Sequence, residues 1–113
     1  MRVLFVCTVN RLRSPTAETL FSTLPGVEAL SAGTDAQAET PLSKELVASA
    51  DVIFAMEKHH RDKIRKKFKD RPADNRIITL NIPDDYERDD PDLVELLDAK
   101  VTHRLERLMS SSR

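Results

Sequence analysis

Apolar positions follow two rhythms along this chain. Val3-Leu4-Phe5-Val6 is a continuous apolar run rich in β-branched residues. Such runs belong to strands covered on both faces, as in parallel sheets. Ser14-Pro15 follows: Ser suits an N-cap, and Pro suits the first helical position. Ala17, Leu20, Phe21 and Leu24 then recur at helical spacing until Pro25-Gly26 stops the helix. A short second strand is expected over 27–31, with a turn at Ala32-Gly33-Thr34 and loop over 35–41. Residues 42–50 read as a short helix, 51–56 as a buried strand and 57–68 as a helix with His60, Ile64 and Phe68 on one side. A fourth strand over 76–82 ends at Pro83. After an acidic loop, Pro91 opens a long helix with the stripe Val94, Leu97, Val101, Leu105 and Leu108. The pattern predicts one domain over 1–109 and a frayed tail over 110–113.

Strands alternating with helices imply an α/β fold: a parallel sheet with helices on both faces. Ligands of such sheets bind beyond the carboxyl ends of the strands. The loop 7–14 is therefore the first place to look for chemistry.

Composition narrows the chemistry. With 113 residues, 33% charged and 40% hydrophobic, the chain reads as an ordinary single-domain protein rather than a disordered one. A net charge of -1 and 4% aromatics argue against a nucleic-acid partner. The opening apolar run is too short to span a bilayer, so no membrane partner and a cytoplasmic location are expected. One cysteine excludes a disulfide framework, a Cys-rich zinc site and any oxidation relay between two cysteines of one chain.

That cysteine opens the loop Cys-Thr-Val-Asn-Arg-Leu-Arg-Ser. The loop feeds a helix N-terminus, whose unpaired N–H groups carry partial positive charge and cradle anions. The same field favours a thiolate. Arg13, six residues after Cys7, offers a planar fork for two phosphate oxygens. Ser14 can donate its hydroxyl to the sulfur. The plainer alternative is a buried Cys7 packing on the sheet beside a solvated Arg13.

The segment "VLFVCTVNRLRSPTAE" resembles the start of the low-molecular-weight protein tyrosine phosphatases, with their Cys, five residues, Arg, Ser and usually Pro. Ser31-Ala32-Gly33-Thr34, "ADVIFAMEKHH" and "IPDDYE" are similar to further segments of that family, and the chain is most similar to a short bacterial subgroup of predicted tyrosine phosphatases. The resemblance implies a three-layer αβα fold with a four-stranded parallel sheet in the order 2-1-3-4. It implies a phosphoric ester hydrolase acting through a phosphocysteine, with no metal or other cofactor. Cys7 is then the nucleophile and Arg13 the phosphate clamp. Thr8, Val9, Asn10, Arg11, Leu12, Arg13 and Ser14 form the phosphate-binding loop. Ser31 supports the loop by bonding Asn10, and Ser14 stabilises the thiolate. Asp84 aligns with the general acid and Tyr86 with the pocket rim. Asp85, Asp89 and Asp90 are rival acids, the last two also suited to capping the helix before Pro91.

Three departures stand out against the family pattern. Val9 replaces a common Gly. Leu12 stands where many members carry a second Cys. Arg11 stands where relatives often have an apolar residue, and either reads extra negative charge on a substrate or pairs with acidic residues. Family members are also typically longer, with the missing length expected beside the pocket between Thr34 and Asp51.

The expected partner is a phosphorylated substrate, first of all a phosphotyrosyl protein, with the protein itself a monomer or weak dimer. A nucleotide or other small phosphate, including a cyclic phosphodiester, is the alternative. Arsenate reduction and non-catalytic phosphate binding rank lower. His59, His60 and His103 show no metal-ligand spacing, and His60 reads as a core or boundary residue. Residues 58–71 hold eight Lys/Arg and two Asp, whereas 84–98 hold eight acids and one Arg. The bland meaning is two solvated faces; the sharper one is a basic helix that steers an anionic substrate.

Overall fold

β1 (Arg2–Cys7) runs through the middle of the molecule, and its alternating side chains divide the core. Val3, Phe5 and Cys7 face one layer, Leu4 and Val6 the other. The computed structural model describes residues 1–111, with the side chain of Ser111 excepted. β1 is followed by α1 (Arg13–Phe21), β2 (Glu28–Gly33), α2 (Lys44–Ser49), β3 (Val52–Ala55), α3 (Lys58–Lys67), a single 3-10 turn (Asp74–Arg76), β4 (Ile77–Thr79) and α4 (Pro91–Ser111).

The four strands are parallel in the order β2-β1-β3-β4, as the family resemblance implies. One face carries α1 and α4: Phe5 stacks between Phe21 and Phe54 at 5.5 Å to each ring, with Leu93, Leu97, Val101 and Leu105 closing the layer. The other face packs Val47 of α2 and Ile64 of α3 on Leu4, Val6 and Ile53. No helix among the described residues is long and apolar enough to cross a membrane.

Four boundaries differ from the sequence reading. α1 begins at Arg13, with Leu12 in the cap position and no side-chain cap. Ser14 is thus inside the first turn, and Pro15, also there, lacks only an N–H that would have had no helical partner. β2 continues through Gly33 because both Gly33 backbone groups are bonded, N–H to Thr40 O and carbonyl from Leu42 N–H. β4 stops at Thr79 because Asn81 turns left-handed at φ 58°. α4 runs through Ser110 and Ser111, where fraying was expected, while Ser112 and Arg113 of that tail lie outside the described residues.

Candidate active site

At the carboxyl end of β1, Cys7 pairs in register with Gly33. The chain then rises over the start of α1. Asn10 supplies the sharp turn with a left-handed φ of 59°, a conformation that Asn tolerates better than most residues. Its side-chain amide donates to Ser14 Oγ at 2.9 Å, and Ser14 Oγ lies 2.9 Å from Cys7 Sγ. A hydroxyl that accepts from Asn10 keeps its own proton for the sulfur. Asn10 and Ser14 are both buried, so this relay is shielded from water.

Arg13 is only 2% exposed. Its Nη1 donates to Glu57 Oε1 at 2.5 Å and to the Ile82 carbonyl at 2.8 Å, and its Nε lies 3.7 Å from Asp84 Oδ1. Three strand ends therefore meet at one guanidinium: Arg13 itself follows β1, Glu57 follows β3, and Ile82 and Asp84 follow β4. The hydrogen bond from Arg13 holds the Glu57 carboxyl below its ordinary range, against a smaller opposing effect of burial. Such charge-assisted bonds fix the plane in which the arginine presents its other donors.

Beneath the loop, buried His60 spans two segments. Its Nδ1 accepts the Glu57 N–H at 3.0 Å, so the proton of the neutral ring sits on Nε2, which donates to Thr8 Oγ1 at 2.9 Å. Burial pushes the His60 pKa down to about 3, helped by the charges of His59 and Arg13. The ring is neutral at physiological pH and ties the loop to α3. Glu57, His59 and His60 come within 4.8 Å of one another. Both His60 nitrogens and the Glu57 carboxylate are already engaged, so the trio is a hydrogen-bonded brace rather than a metal site.

Cys7, Thr8, Val9, Arg11, Leu12, Arg13 and Asp84 line a cavity of about 260 Å³. Asp84 is exposed at its mouth, while Asp85 is exposed and not among the lining residues. Asp89 donates its N–H to Thr16 Oγ1, and Asp90 Oδ1 accepts from Asp92 N–H at the start of α4. Both acids thus serve the chain's approach to that helix. Tyr86, expected at the rim, packs instead against the apolar cluster under α4 and is not among the lining residues. The expected bond from Ser31 to Asn10 is replaced by one from Ser31 Oγ to Glu18 Oε1. Ser31 sits opposite Phe5, two residues back from Cys7 along the strands. That is roughly 6–7 Å short of the loop. Arg11 approaches Glu39 at 3.8 Å, at the rim and not at the acidic loop 84–90.

Glu57 and His60 are the contributions that sequence reasoning passed over as a helix start and a boundary residue. The available signal was position. An acid directly after an apolar strand stands on the ligand-binding edge of a parallel sheet.

No family model matches the chain. Against characterised proteins, it is 33% identical over 95 residues to a protein-arginine-phosphatase of Bacillus subtilis (strain 168), a match over 60% of this chain and 63% of that one. The chain thus matches less than two thirds of that relative's length. Among solved structures, the YwlE arginine phosphatase from Geobacillus stearothermophilus superimposes with a TM-score of 0.76 and 26% identity, over 99% of this chain and 97% of that one. A low molecular weight protein tyrosine phosphatase from Bacillus subtilis gives a TM-score of 0.72 and 25% identity, over 95% and 98%. The Escherichia coli K30 tyrosine phosphatase Wzb, solved with phosphate, gives 0.75 and 24%, over 95% and 97%. By sheet order, by the loop from Cys7 to Ser14 and by these relatives, the chain is similar to the low-molecular-weight protein tyrosine phosphatases and shares their fold.

Proposed function

We propose that the protein is a cysteine-dependent phosphatase that hydrolyses phosphorylated protein side chains through a phosphocysteine, with phosphotyrosine as the first substrate class. The observation that carries this reading is the convergence of Cys7 Sγ, the Arg13 guanidinium and the Asp84 carboxylate on one small cavity, with Ser14 Oγ 2.9 Å from the sulfur. The Cys7 thiolate attacks phosphorus and the ester oxygen leaves. Arg13 and the N–H groups at the start of α1 hold the equatorial oxygens, where transition-state charge spreads. Asp84 donates a proton to the departing oxygen. In the second step it accepts one from the water that displaces the thiolate. Thiolate, arginine and amides supply both nucleophile and charge stabilisation, so no metal or other cofactor is required.

Phosphoarginine on proteins is the second reading, favoured by the similarity to the Bacillus subtilis protein-arginine-phosphatase. Arg11 at the cavity wall counts against it, because a cation there repels a substrate guanidinium, although Glu39 at 3.8 Å offsets part of that charge. The test compares phosphotyrosyl peptide, phosphoarginyl peptide and a nucleoside monophosphate at equal concentration. Selective turnover of the phosphoarginyl peptide reverses the order of the two readings. Trapping of phosphate on the protein during turnover, lost in Cys7→Ser, is the expected signature of the covalent step. Turnover by Cys7→Ser at the wild-type rate overturns the mechanism.

A further inference from the structure

A second cavity lies apart from the catalytic one. A groove of about 490 Å³ lies between α3 and the segment that follows β2, lined by Thr34, Asp35, Pro41, Leu42, Phe68 and the lysines 63, 66 and 67. Its floor is apolar and one wall is cationic. None of these three lysines forms an ion pair among the described residues; Lys67 Nζ lies 5.7 Å from the Phe68 ring. The one acid in the groove, Asp35, accepts the Gln37 N–H through its own side chain. The Thr34 hydroxyl is buried with no hydrogen-bond partner among the described residues.

Groove and catalytic cavity are built from the same segments. Thr34 N–H donates to the Cys7 carbonyl at 2.9 Å, Asp35 N–H to Thr8 O at 3.0 Å and Glu39 N–H to Val9 O at 3.2 Å. On the other side His60, in the first turn of α3, is bonded to Thr8. Lys63 follows His60 by three residues and Lys67 by seven, so the cationic wall starts one helical turn from the phosphate loop. It ends roughly 10 Å along the helix axis. An extended peptide advances about 3.3 Å per residue. A chain whose phosphorylated side chain enters the catalytic cavity thus reaches the lysines within about two to five residues.

We propose that this groove is a docking surface for an acidic segment of the substrate protein, within about five residues of the phosphorylated side chain. The occupant is argued from charge: three lysines without an ion pair among the described residues, over an apolar floor, complement Glu and Asp carboxylates interleaved with apolar side chains. The proposal rests on the phosphatase reading above and names the substrates it selects.

The test uses phosphotyrosyl peptides with Glu-rich flanks on the amino side, on the carboxyl side, or with Gln in place of every Glu. Each is turned over by the wild type and by the triple variant Lys63→Gln, Lys66→Gln, Lys67→Gln. These exposed lysines touch neither Cys7, Arg13 nor Asp84, so p-nitrophenyl phosphate turnover stays at the wild-type level in the variant. For the wild type, one acidic peptide has a KM about tenfold below its Gln counterpart, with similar kcat, and added salt narrows the gap. The triple variant loses that preference. Equal KM values for acidic and neutral peptides, or a preference that survives in the variant, overturn the docking surface. Failure of the wild type to hydrolyse p-nitrophenyl phosphate overturns the phosphatase reading instead. In that event, fluorescence anisotropy of the same peptides on the Cys7→Ser protein decides the groove: tighter binding of an acidic peptide, abolished by the lysine changes, upholds it, and equal binding of all peptides rejects it.

Discussion

Asp84 lies 3.7 Å from Arg13 Nε at the cavity mouth, whereas its neighbour Asp85 is outside the lining. A proton donor earns its effect only when the leaving group needs protonation. Asp84→Asn is therefore expected to slow phenyl phosphate hydrolysis by about 10²–10⁴-fold and nitrophenyl phosphate far less. Asp85→Asn is expected to stay near wild type with both esters; a larger loss in that variant reverses the assignment. In the proposed reaction Glu57 would act through Arg13, which it holds. Glu57→Gln keeps the size of the side chain and removes the charge that fixes the guanidinium. Inhibition by inorganic phosphate is expected to weaken by roughly tenfold, since a hydrogen bond to a charged group contributes about 1.5–3 kcal/mol. Unchanged phosphate inhibition would show that Ile82 O and Asp84 hold Arg13 without Glu57. The carboxyl of Glu57 is held below its usual range, so its contribution to stability is complete above its ordinary pKa of 4.5 and is lost as pH falls through the lower folded value.

Elements decide how closely the loop 7–14 is held. Gly33, at the end of β2, is needed for space: a Cβ there would lie 2.5 Å from both the Thr8 carbonyl oxygen and the Ala38 Cβ. Gly33→Ala must push the loop and the segment 34–38 apart, with a loss of about 1–3 kcal/mol in denaturant unfolding and a parallel fall in phosphate affinity. A variant with wild-type stability and affinity would show that this junction is soft. α3 contributes a second constraint through His60. The folded state refuses a proton until about pH 3, while the unfolded chain accepts one near 6.5. Stability therefore falls as pH drops through this window, by about 2 kcal/mol at pH 5 relative to neutrality. His60→Gln lowers stability at pH 7 yet removes this slope, and equal slopes in both proteins refute the argument. These constraints also mark what was legible in advance. The strand and helix rhythm and the Cys7–Arg13 loop were readable because they depend on neighbours in sequence, and the sheet order came from the family resemblance. The Ser31 partner, the Glu57–Arg13 pair and the His60–Thr8 tie were not, because each depends on which strand ends lie side by side. The early start of α1 was missed for a local reason: Ser14 is a good cap by type, but its hydroxyl is drawn to Cys7 and Asn10.

Across the whole molecule, the parallel sheet collects its reactive groups at one end and leaves both faces to the apolar layers. Burying Cys7 to 3% exposure protects it from most reagents, yet Cys7 is among the residues that line the cavity. It is the sole cysteine of the 113 residues, so a sulfenic acid formed there has no second thiol in the chain with which to condense. Peroxide treatment is expected to pass through a short stage that dithiothreitol reverses and then to irreversible loss, with sulfinic and sulfonic acid on Cys7 by mass spectrometry. Inorganic phosphate in the cavity is expected to slow both stages, because it covers the sulfur. Leu12 lines the same cavity, five residues along the loop. Leu12→Cys is expected to supply the missing partner: peroxide then yields the mass of an internal disulfide, and activity returns with dithiothreitol after exposures that destroy the wild type for good. If the wild type recovers as fully as Leu12→Cys, something other than a second thiol shields the sulfenate, and the lone cysteine does not set the oxidative fate of this protein.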